Sequence, residues 1–310
     1  MDSVKLSGLI KEKARALGFD KVGIAAAQKK PAHSNYLQEW LDGGRHGEMR
    51  WFENHLEKRL DIKKLEPWAE SVVIIAQNYY TPFKHSTAKD TVKISRYAWG
   101  GDYHKIIKKK LKILLTELKE LDKTMQGRIF CDSAPLQEKL WAVEAGIGWQ
   151  GKNTNIISRD AGSWFFLGGL VLNKNLIYDE PVTDSCGKCT ACIDACPTNA
   201  LEAYKLDAAR CLSYITIEYW DKPIPPDIAA KMDRWVFGCD ICQDVCPWNR
   251  FAGETKESAF IPPPENVEPS IDELLALTEE AFKKRFKKTP VYRAKYENFI
   301  RNVKTVKSSG

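Results

Sequence analysis

Long apolar runs are missing from this sequence of 310 residues. The longest, residues 72–76 and 164–171, are far shorter than the ~20 residues that span a bilayer. The first 19 residues contain acids and no unbroken apolar core, so we expect no signal peptide and a cytoplasmic chain. The content of 44% hydrophobic and 28% charged residues excludes a disordered chain or a fibre and predicts a globular protein.

Familiar site signatures are also missing. No G-x-G-x-x-G follows a predicted strand, and neither the P-loop pattern G-x-x-x-x-G-K-[ST] nor the hydrolase elbow G-x-S-x-G occurs. These absences exclude the usual nucleotide-binding and serine hydrolase sites. Histidine is scarce as well, because there are only five, without ligand spacing, and none follows His104.

Cysteine, by contrast, is abundant and clustered. Eight of the nine cysteines lie within 61 residues, and an odd number without an export signal argues against disulfides. The run Cys186-x2-Cys189-x2-Cys192-x3-Cys196-Pro is the bacterial ferredoxin pattern, in which three thiolates bind one [4Fe–4S] cluster and the fourth binds its neighbour. Zinc is a weaker alternative, since its sites usually use two C-x2-C pairs or add histidine.

A second cysteine run, Cys239-x2-Cys242-x3-Cys246-Pro, completes two clusters. By symmetry Cys246 crosses to the first cluster, and Cys211 supplies the ligand that the second one lacks. The predicted ligand sets are Cys186, Cys189, Cys192 and Cys246 for one cluster, and Cys196, Cys211, Cys239 and Cys242 for the other. Cys131 is left over, and we interpret it as a buried structural thiol.

The net charge of +6 is concentrated near the C-terminus. Residues 283–307 contain ten Lys or Arg and one acid, a net charge of +9, so the rest of the chain carries −3. Aromatic residues interleave with these charges, which favours a surface that meets phosphate and base. They are Phe282, Phe286, Tyr292, Tyr296 and Phe299. The alternative to a role in RNA binding is a structural one, in which this segment packs a helix over residues 271–287 onto the rest of the protein.

The first 180 residues indicate mixed α and β structure. The patterns predict an opening helix, strands over residues 71–80, 128–132 and 164–173, and helices over residues 105–121 and 135–146. Asp132 ends a strand just before a helix, and a glycine-rich segment follows at residues 146–154. Taken separately these are a helix cap and a turn. Because they accompany a two-cluster electron relay, Asp132 and the glycine-rich segment together are interpreted as a ligand-binding site with an acid at its entrance.

Several separated segments resemble the epoxyqueuosine reductase family. They are DSAP (132–135), GWQGKNT (148–154), RCLSYITIE (210–218) and GCDICQDVCPWN (238–249). With EKRLD (57–61) and FIRN (299–302), the resemblance covers nearly the whole chain. It implies an enzyme related to reductive dehalogenases that reduces the epoxide of epoxyqueuosine at the wobble position of tRNA to the cyclopentene of queuosine.

The same resemblance implies an α+β architecture in three parts. Residues 1–178 are expected to form a nitroreductase-like, cobalamin-binding catalytic domain, and residues 179–262 a bacterial-ferredoxin-like domain with two [4Fe–4S] clusters. Residues 263–310 form a basic segment for tRNA contact, since the helical repeats of many members do not follow. The expected partners are an anticodon stem-loop and an external low-potential electron donor, and the expected state is a monomer.

The resemblance also implies roles for individual residues. The implied cobalamin contacts are Arg59, Ser95, Asp132, Gly151, Lys152, Asn153, Thr154, Ile156 and Ser213, and the implied tRNA contacts are Arg293, Lys295 and Arg301. Asp132 matches the family's proton donor, and we expect a desolvated site to keep it protonated. We expect no protein ligand to cobalt.

Two other functions fit the cysteine pattern. A flavin-dependent reductase fed by a fused ferredoxin would use the turn at residues 152–154 for its phosphate. A pure electron-transfer protein would use its N-terminal domain to dock a partner. Absorption spectra separate the three possibilities, because corrin, flavin and iron–sulfur bands differ.

Overall fold

The computed structural model describes residues 2–309 and shows a mixed helix and sheet fold. The α-helices are α1 (Ser3–Ala16), α2 (Pro31–Asp42), α3 (Leu56–Leu60), α4 (Ile62–Leu65), α5 (Tyr103–Leu121), α6 (Glu138–Glu144), α7 (Ala191–Asp194), α8 (Leu212–Ile217), α9 (Pro226–Ala229), α10 (Ile241–Asp244), α11 (Pro264–Val267), α12 (Ile271–Leu275), α13 (Glu279–Phe286) and α14 (Lys295–Ser309). The strands are β1 (Lys21–Ala26), β2 (Ser71–Asn78), β3 (Lys93–Ile94), β4 (Gly127–Phe130), β5 (Trp149–Gln150), β6 (Ile156–Ile157), β7 (Phe165–Leu172), β8 (Leu201–Glu202), β9 (Lys205–Leu206) and β10 (Trp235–Phe237). Short 3-10 helices occupy Arg50–Phe52, Arg96–Ala98, Ala208–Arg210, Pro247–Phe251, Ser258–Phe260 and Pro290–Ala294. Within residues 2–309, no helix is both long and apolar enough to cross a membrane.

Strand β2 lies inside a four-stranded antiparallel sheet with the order β1-β2-β7-β4. Successive residues of a strand point to opposite faces, so its apolar side chains divide between two cores. Val73 and Ile75 pack with residues of α1 and α5, whereas Val72 and Ile74 pack with residues of α6. Helices on both faces explain why β2 has no polar face. The strand predicted over residues 71–80 is confirmed and ends at Asn78.

Helix α5 places its first turn beside the end of β4. Buried Ile107, Leu111, Leu114 and Leu118 form one apolar stripe at helical spacing against the sheet. The side chain of Asp102 caps the helix by accepting a hydrogen bond from the backbone of His104 at 3.1 Å. This packing brings residues 102–104 next to the chain that leaves β4.

The helix predicted over residues 135–146 begins later than expected. Helix α6 starts at Glu138, and the chain between β4 and α6 is an irregular loop. Asp132 bends this loop with a left-handed φ of 59°, and Pro135 lies in the same irregular stretch before the helix. The predicted stop at Gly146 is confirmed, because Gly146 has a φ of 67° that favours glycine.

The basic C-terminal segment packs into a third core with residues 92–99 and 208–237. The single helix predicted over residues 271–287 is wrong: Thr278 caps α13 separately from α12. The predicted use of interleaved aromatic residues is also wrong for Phe282, Phe286 and Phe299, which are buried in this core. Helical periodicity turns these rings inward and leaves the lysines outside.

Candidate active site

The residue before the loop, Cys131, is fully buried, as the sequence predicts. Its thiol donates to the carbonyl of Leu167 at 3.4 Å. Burial is the main cause that raises the pKa of Cys131, and the nearby carboxyl groups of Glu138 and Asp132 raise it further. Cys131 therefore stays a neutral thiol. Its neighbour Asp132 points the opposite way, into solvent.

Asp132 forms one end of a row of three side chains. His104 Nε2 lies 2.9 Å from Asp132 Oδ2, and His104 Nδ1 lies 2.8 Å from Asp102 Oδ1. The ring of Tyr103 stacks on the imidazole at 4.0 Å and fixes its plane. The Asp132 side chain is 57% exposed, so the chain itself does not supply the desolvated surroundings that we predicted.

Glu138 anchors the loop from the first turn of α6. Its carboxylate accepts a hydrogen bond from the backbone N–H of Asp132 at 2.5 Å. Burial, followed by the charge of Asp132, raises the pKa of Glu138 to about 8. This bond holds the left-handed turn that aims the Asp132 side chain at His104.

A cleft of about 890 Å³ opens beside this row. Asp132 and His104 line one part of it, and Cys211, Ser213 and Arg293 line other parts. Because Cys211 is a predicted cluster ligand, the cleft extends from the acid–histidine pair to the cysteine-rich region.

Arg59 also lines the cleft and carries an unused donor. Its guanidinium lies 5.4 Å from the ring centre of Trp51 and 5.2 Å from that of Phe52, and Nη2 donates to the Trp51 carbonyl at 3.2 Å. The buried Nε–H has no acceptor within residues 2–309. Burial lowers the pKa of Arg59. An unsatisfied buried donor at a cleft is suited to a polar ligand atom.

The first predicted ligand set surrounds one small cavity. The lining thiols are Cys186, Cys189, Cys192 and Cys246. Burial, followed by the charges of Cys246 and Cys186, raises the pKa of Cys192. The indole N–H of Trp149 points at the Cys186 sulfur at 3.5 Å. Within residues 2–309, no three His, Cys, Asp or Glu side chains are arranged to hold a single metal ion.

The second predicted set is also gathered in one place. Burial, followed by the charges of Cys211 and other cysteines, raises the pKa of Cys242. Burial, followed by the charge of Cys196, raises the pKa of Cys211. Burial, followed by the charges of Cys211 and Cys242, raises the pKa of Cys239. Cys211, Cys239 and Cys242 are therefore close neighbours with Cys196 beside them, and a cluster would stabilise thiolates that apolar surroundings alone disfavour.

The glycine-rich segment connects the two cysteine loops. Lys152 Nζ donates to the carbonyls of Gly187 and Cys189 at 2.7 and 2.9 Å, and Asn153 Nδ2 donates to that of Cys242 at 3.2 Å. The Thr154 carbonyl accepts from Lys139 at 3.0 Å. The side chains of Lys152 and Asn153 therefore hold the cysteine loops, and their contact with a cofactor stays a prediction.

Several other predicted site residues lie outside the cleft. Ser95 is buried and donates to Asp240 at 2.5 Å, while Ile156 is buried in the core under α6. Arg301 donates to the carbonyls of Ile215, Tyr219 and Lys222 within the fold. The Lys295 ammonium lies over Trp220 at 5.1 Å, and Gly151 packs against Ile157 and Asn153. The cleft thus brings together Arg59, Asp132, Ser213 and Arg293 from the predicted set.

Sequence reasoning missed the partners of Asp132. Nothing in the sequence singles out Glu138, because its bond to Asp132 depends on an irregular loop. His104 carried a weak signal, since it follows Asp102 by two residues and ends the DYH segment.

Comparison with known proteins gives consistent matches along the chain. A family model described as epoxyqueuosine reductase QueG matches residues 59–133, and one described as a 4Fe-4S double cluster binding domain matches residues 185–249. The epoxyqueuosine reductase of Cyclobacterium marinum is 46% identical over 306 residues, covering 98% of this chain and 97% of the relative. That of Pseudomonas aeruginosa is 42% identical and covers 97% of this chain and 85% of the relative.

Solved structures agree with the sequence matches. A crystal structure of epoxyqueuosine reductase with a modified tRNA-Tyr stem loop has a TM-score of 0.92 at 30% identity, over 98% of this chain and 81% of the other. A Bacillus subtilis epoxyqueuosine reductase, with its catalytic aspartate loop swung out of the active site, has a TM-score of 0.90 at 29% identity, covering 98% and 82%.

The fold and the matched domains define an oxidoreductase that carries a 4Fe-4S cluster-binding domain beside an acid–histidine cleft. Its mixed helix and sheet architecture is that of the solved relatives over nearly the full chain. The chain belongs to the epoxyqueuosine reductase family.

Proposed function

We propose that the protein reduces the epoxide of epoxyqueuosine in tRNA to the cyclopentene of queuosine. The observation that carries this proposal is the cleft shared by Asp132 and Cys211, which puts an acid and a predicted cluster ligand around one cavity. Epoxide reduction needs both electrons and protons at one place, and this arrangement can supply both. The family membership supports the substrate, because a solved relative holds a modified tRNA stem loop.

Two [4Fe–4S] clusters and cobalamin are the proposed cofactors. The two groups of four thiols fit two clusters, and the pairing agrees with the ferredoxin spacing. The unsatisfied Nε–H of Arg59 and the hydroxyl of Ser213 fit polar groups of a large ligand in the cleft. When bound, these groups supply the low-potential electrons for the reduction.

The chain's own residues handle the proton and the substrate. Asp132 is the proposed acid, since its carboxyl group lines the cleft and contacts His104, while Glu138 holds its backbone N–H. It delivers a proton to the oxygen that leaves the epoxide ring. The swung-out aspartate loop of the Bacillus subtilis relative supports a mobile role for the corresponding loop here.

The proposed RNA contact is the part of the basic segment that faces the cleft. Lys287, Tyr292 and Arg293 line the cleft, and Tyr292 is exposed. Arg293 is paired with Glu218 at 2.5 Å, whereas Lys287 forms no ion pair within the described residues. We therefore extend the predicted set of Arg293, Lys295 and Arg301 to Lys287, a cation suited to phosphate at the mouth of the site.

The test is turnover of an epoxyqueuosine-containing stem-loop by anaerobically prepared protein. Asp132→Asn should keep the cluster and corrin absorption bands but lose turnover by about 10²-fold or more, as expected for removal of a general acid. Turnover at the wild-type rate would rule out the acid role. Flavin bands, or cluster bands without cobalamin binding, would instead support the flavin reductase or the electron-transfer protein.

A further inference from the structure

The imidazole of His104 is bonded to a carboxylate at each of its nitrogens. Nδ1 lies 2.8 Å from Asp102 Oδ1, and Nε2 lies 2.9 Å from Asp132 Oδ2. The two bonds come from different parts of the chain, because Asp102 caps α5 and Asp132 leaves β4. The role of Asp132 as the acid leaves this arrangement unexplained, since one side chain carries only one proton and the reduction consumes two.

The two contacts favour the protonated form of the ring. With a carboxyl oxygen at each ring nitrogen, both nitrogens can donate a hydrogen bond when the ring is an imidazolium. Burial lowers the pKa of His104, but the bonds to Asp102 and Asp132 outweigh it and raise the pKa to about 9. The other titratable groups near the row include Lys105, which contacts Asp102 at 3.6 Å, Lys108, which contacts Ser133, and Glu138. The charge of Asp132 also acts on Arg293 and Lys139.

We infer that His104 stores the proton that Asp132 delivers, with Asp102 holding the ring in place. This inference rests on the proposed acid role of Asp132. Because His104 acts through Asp132, it is a positioning and proton-supplying residue and does not itself touch the substrate. The row gives the Asp132 side chain, which is 57% exposed, a source of protons within the fold.

The proton balance closes with this row. The reduction breaks both C–O bonds of the epoxide, forms one C=C bond, and consumes two electrons from the reduced cofactors and two protons to release water. His104 Nε2–H passes its proton to Asp132 Oδ2, and Asp132 relays that proton to the departing oxygen. The neutral ring regains a proton from water, since 32% of its side chain is exposed, and the second transfer follows the same route.

The sign of the pH dependence follows from the raised pKa of His104. The ring is protonated below about pH 9, so the transfer is available there and is lost as the pH rises through that value. Asp102→Asn removes one of the carboxylates that raise this pKa, while asparagine still caps α5. The alkaline limb of the rate profile should therefore move toward the ordinary histidine value near 6.5.

The experiment compares single-turnover rates of His104→Gln, Asp102→Asn and Asp132→Asn in the cluster- and cobalamin-loaded enzyme as a function of pH. We expect His104→Gln to slow turnover by about 10²-fold and to lose the limb near pH 9, with unchanged cofactor bands. Histidine-labelled NMR of the cluster-loaded protein, with His104 identified by its loss in His104→Gln, should give a pKa near 9 that falls in Asp102→Asn.

The outcomes separate the inference from the proposed function. Wild-type turnover in His104→Gln together with an inactive Asp132→Asn would overturn the proton store and leave the acid role intact. An unshifted limb and an unshifted NMR titration in Asp102→Asn would also overturn it. Wild-type turnover in Asp132→Asn would instead refute the acid role on which the inference rests.

Discussion

The bond between Glu138 and the Asp132 backbone predicts that Glu138→Ala loosens the loop without disturbing the cofactors. An intramolecular hydrogen bond contributes about 0.5–1.5 kcal/mol, and we take the upper end because this bond is short, at 2.5 Å. The left-handed φ of Asp132, 59°, costs roughly 1 kcal/mol in the wild type and the variant alike, so only the lost bond changes the equilibrium. Since about 1.4 kcal/mol is a factor of ten, the ratio of the inward to the outward loop should fall by about tenfold.

The assay combines single turnover with amide hydrogen exchange of residues 131–137. In Glu138→Ala, turnover should fall by about tenfold and exchange in the loop should rise, with the cluster and corrin bands unchanged. Glu138→Gln is the matched control, because its amide oxygen still accepts the Asp132 N–H, and it should retain most of the activity. Wild-type turnover and exchange in Glu138→Ala would refute the reasoning.

Two further predictions concern the basic segment. Lys287→Glu should weaken binding of the stem-loop and reduce the salt slope of binding by about one, because it removes one phosphate contact, whereas the control Lys304→Glu, on a groove away from the cleft, should change neither. Equal effects of both lysines in a salt titration would contradict this assignment. Asn302→Leu should destabilise the fold by about 2–4 kcal/mol, because it leaves the carbonyls of Thr216 and Val236 buried without their donor, at 2.8 and 2.9 Å in the present fold. Denaturant unfolding of the variant and the wild type measures this, and an unchanged midpoint would show that the carbonyls find other partners.

The periodic elements could be predicted from the sequence because their patterns depend on local chemistry. The stripe of α5 and the apolar run of β2 both follow from side-chain spacing. The start of α6 could not, since the left-handed turn at Asp132 depends on a bond to Glu138 rather than on local preference. Patterns of spacing also carry no information on how an irregular loop returns to a helix.

The candidate site also contains some residues that local sequence patterns predict and others that only the packing of the fold brings together. The cluster ligands could be predicted from the cysteine spacing, because the ligands of one tight loop are close together in the sequence. The link between His104 and Asp132 joins residues 28 positions apart and requires the packing of α5 on β4. The sequence shows the positive charge of the C-terminal segment but not its ion pairs. In the fold, Arg293 pairs with Glu218, Arg285 with Glu273 and Lys307 with Asp272. Only part of the apparent +9 is therefore available to RNA.

We propose that this cleft reduces the epoxide with electrons from two clusters and protons delivered through Asp132. The most direct measurement is the product of one turnover on an epoxyqueuosine stem-loop, using anaerobic protein with its iron and cobalt contents determined. We predict loss of one oxygen atom from the nucleoside by mass spectrometry, about eight iron atoms per chain, and dependence on added cobalamin and on Asp132. An unchanged nucleoside in the fully loaded, reduced protein would contradict the account.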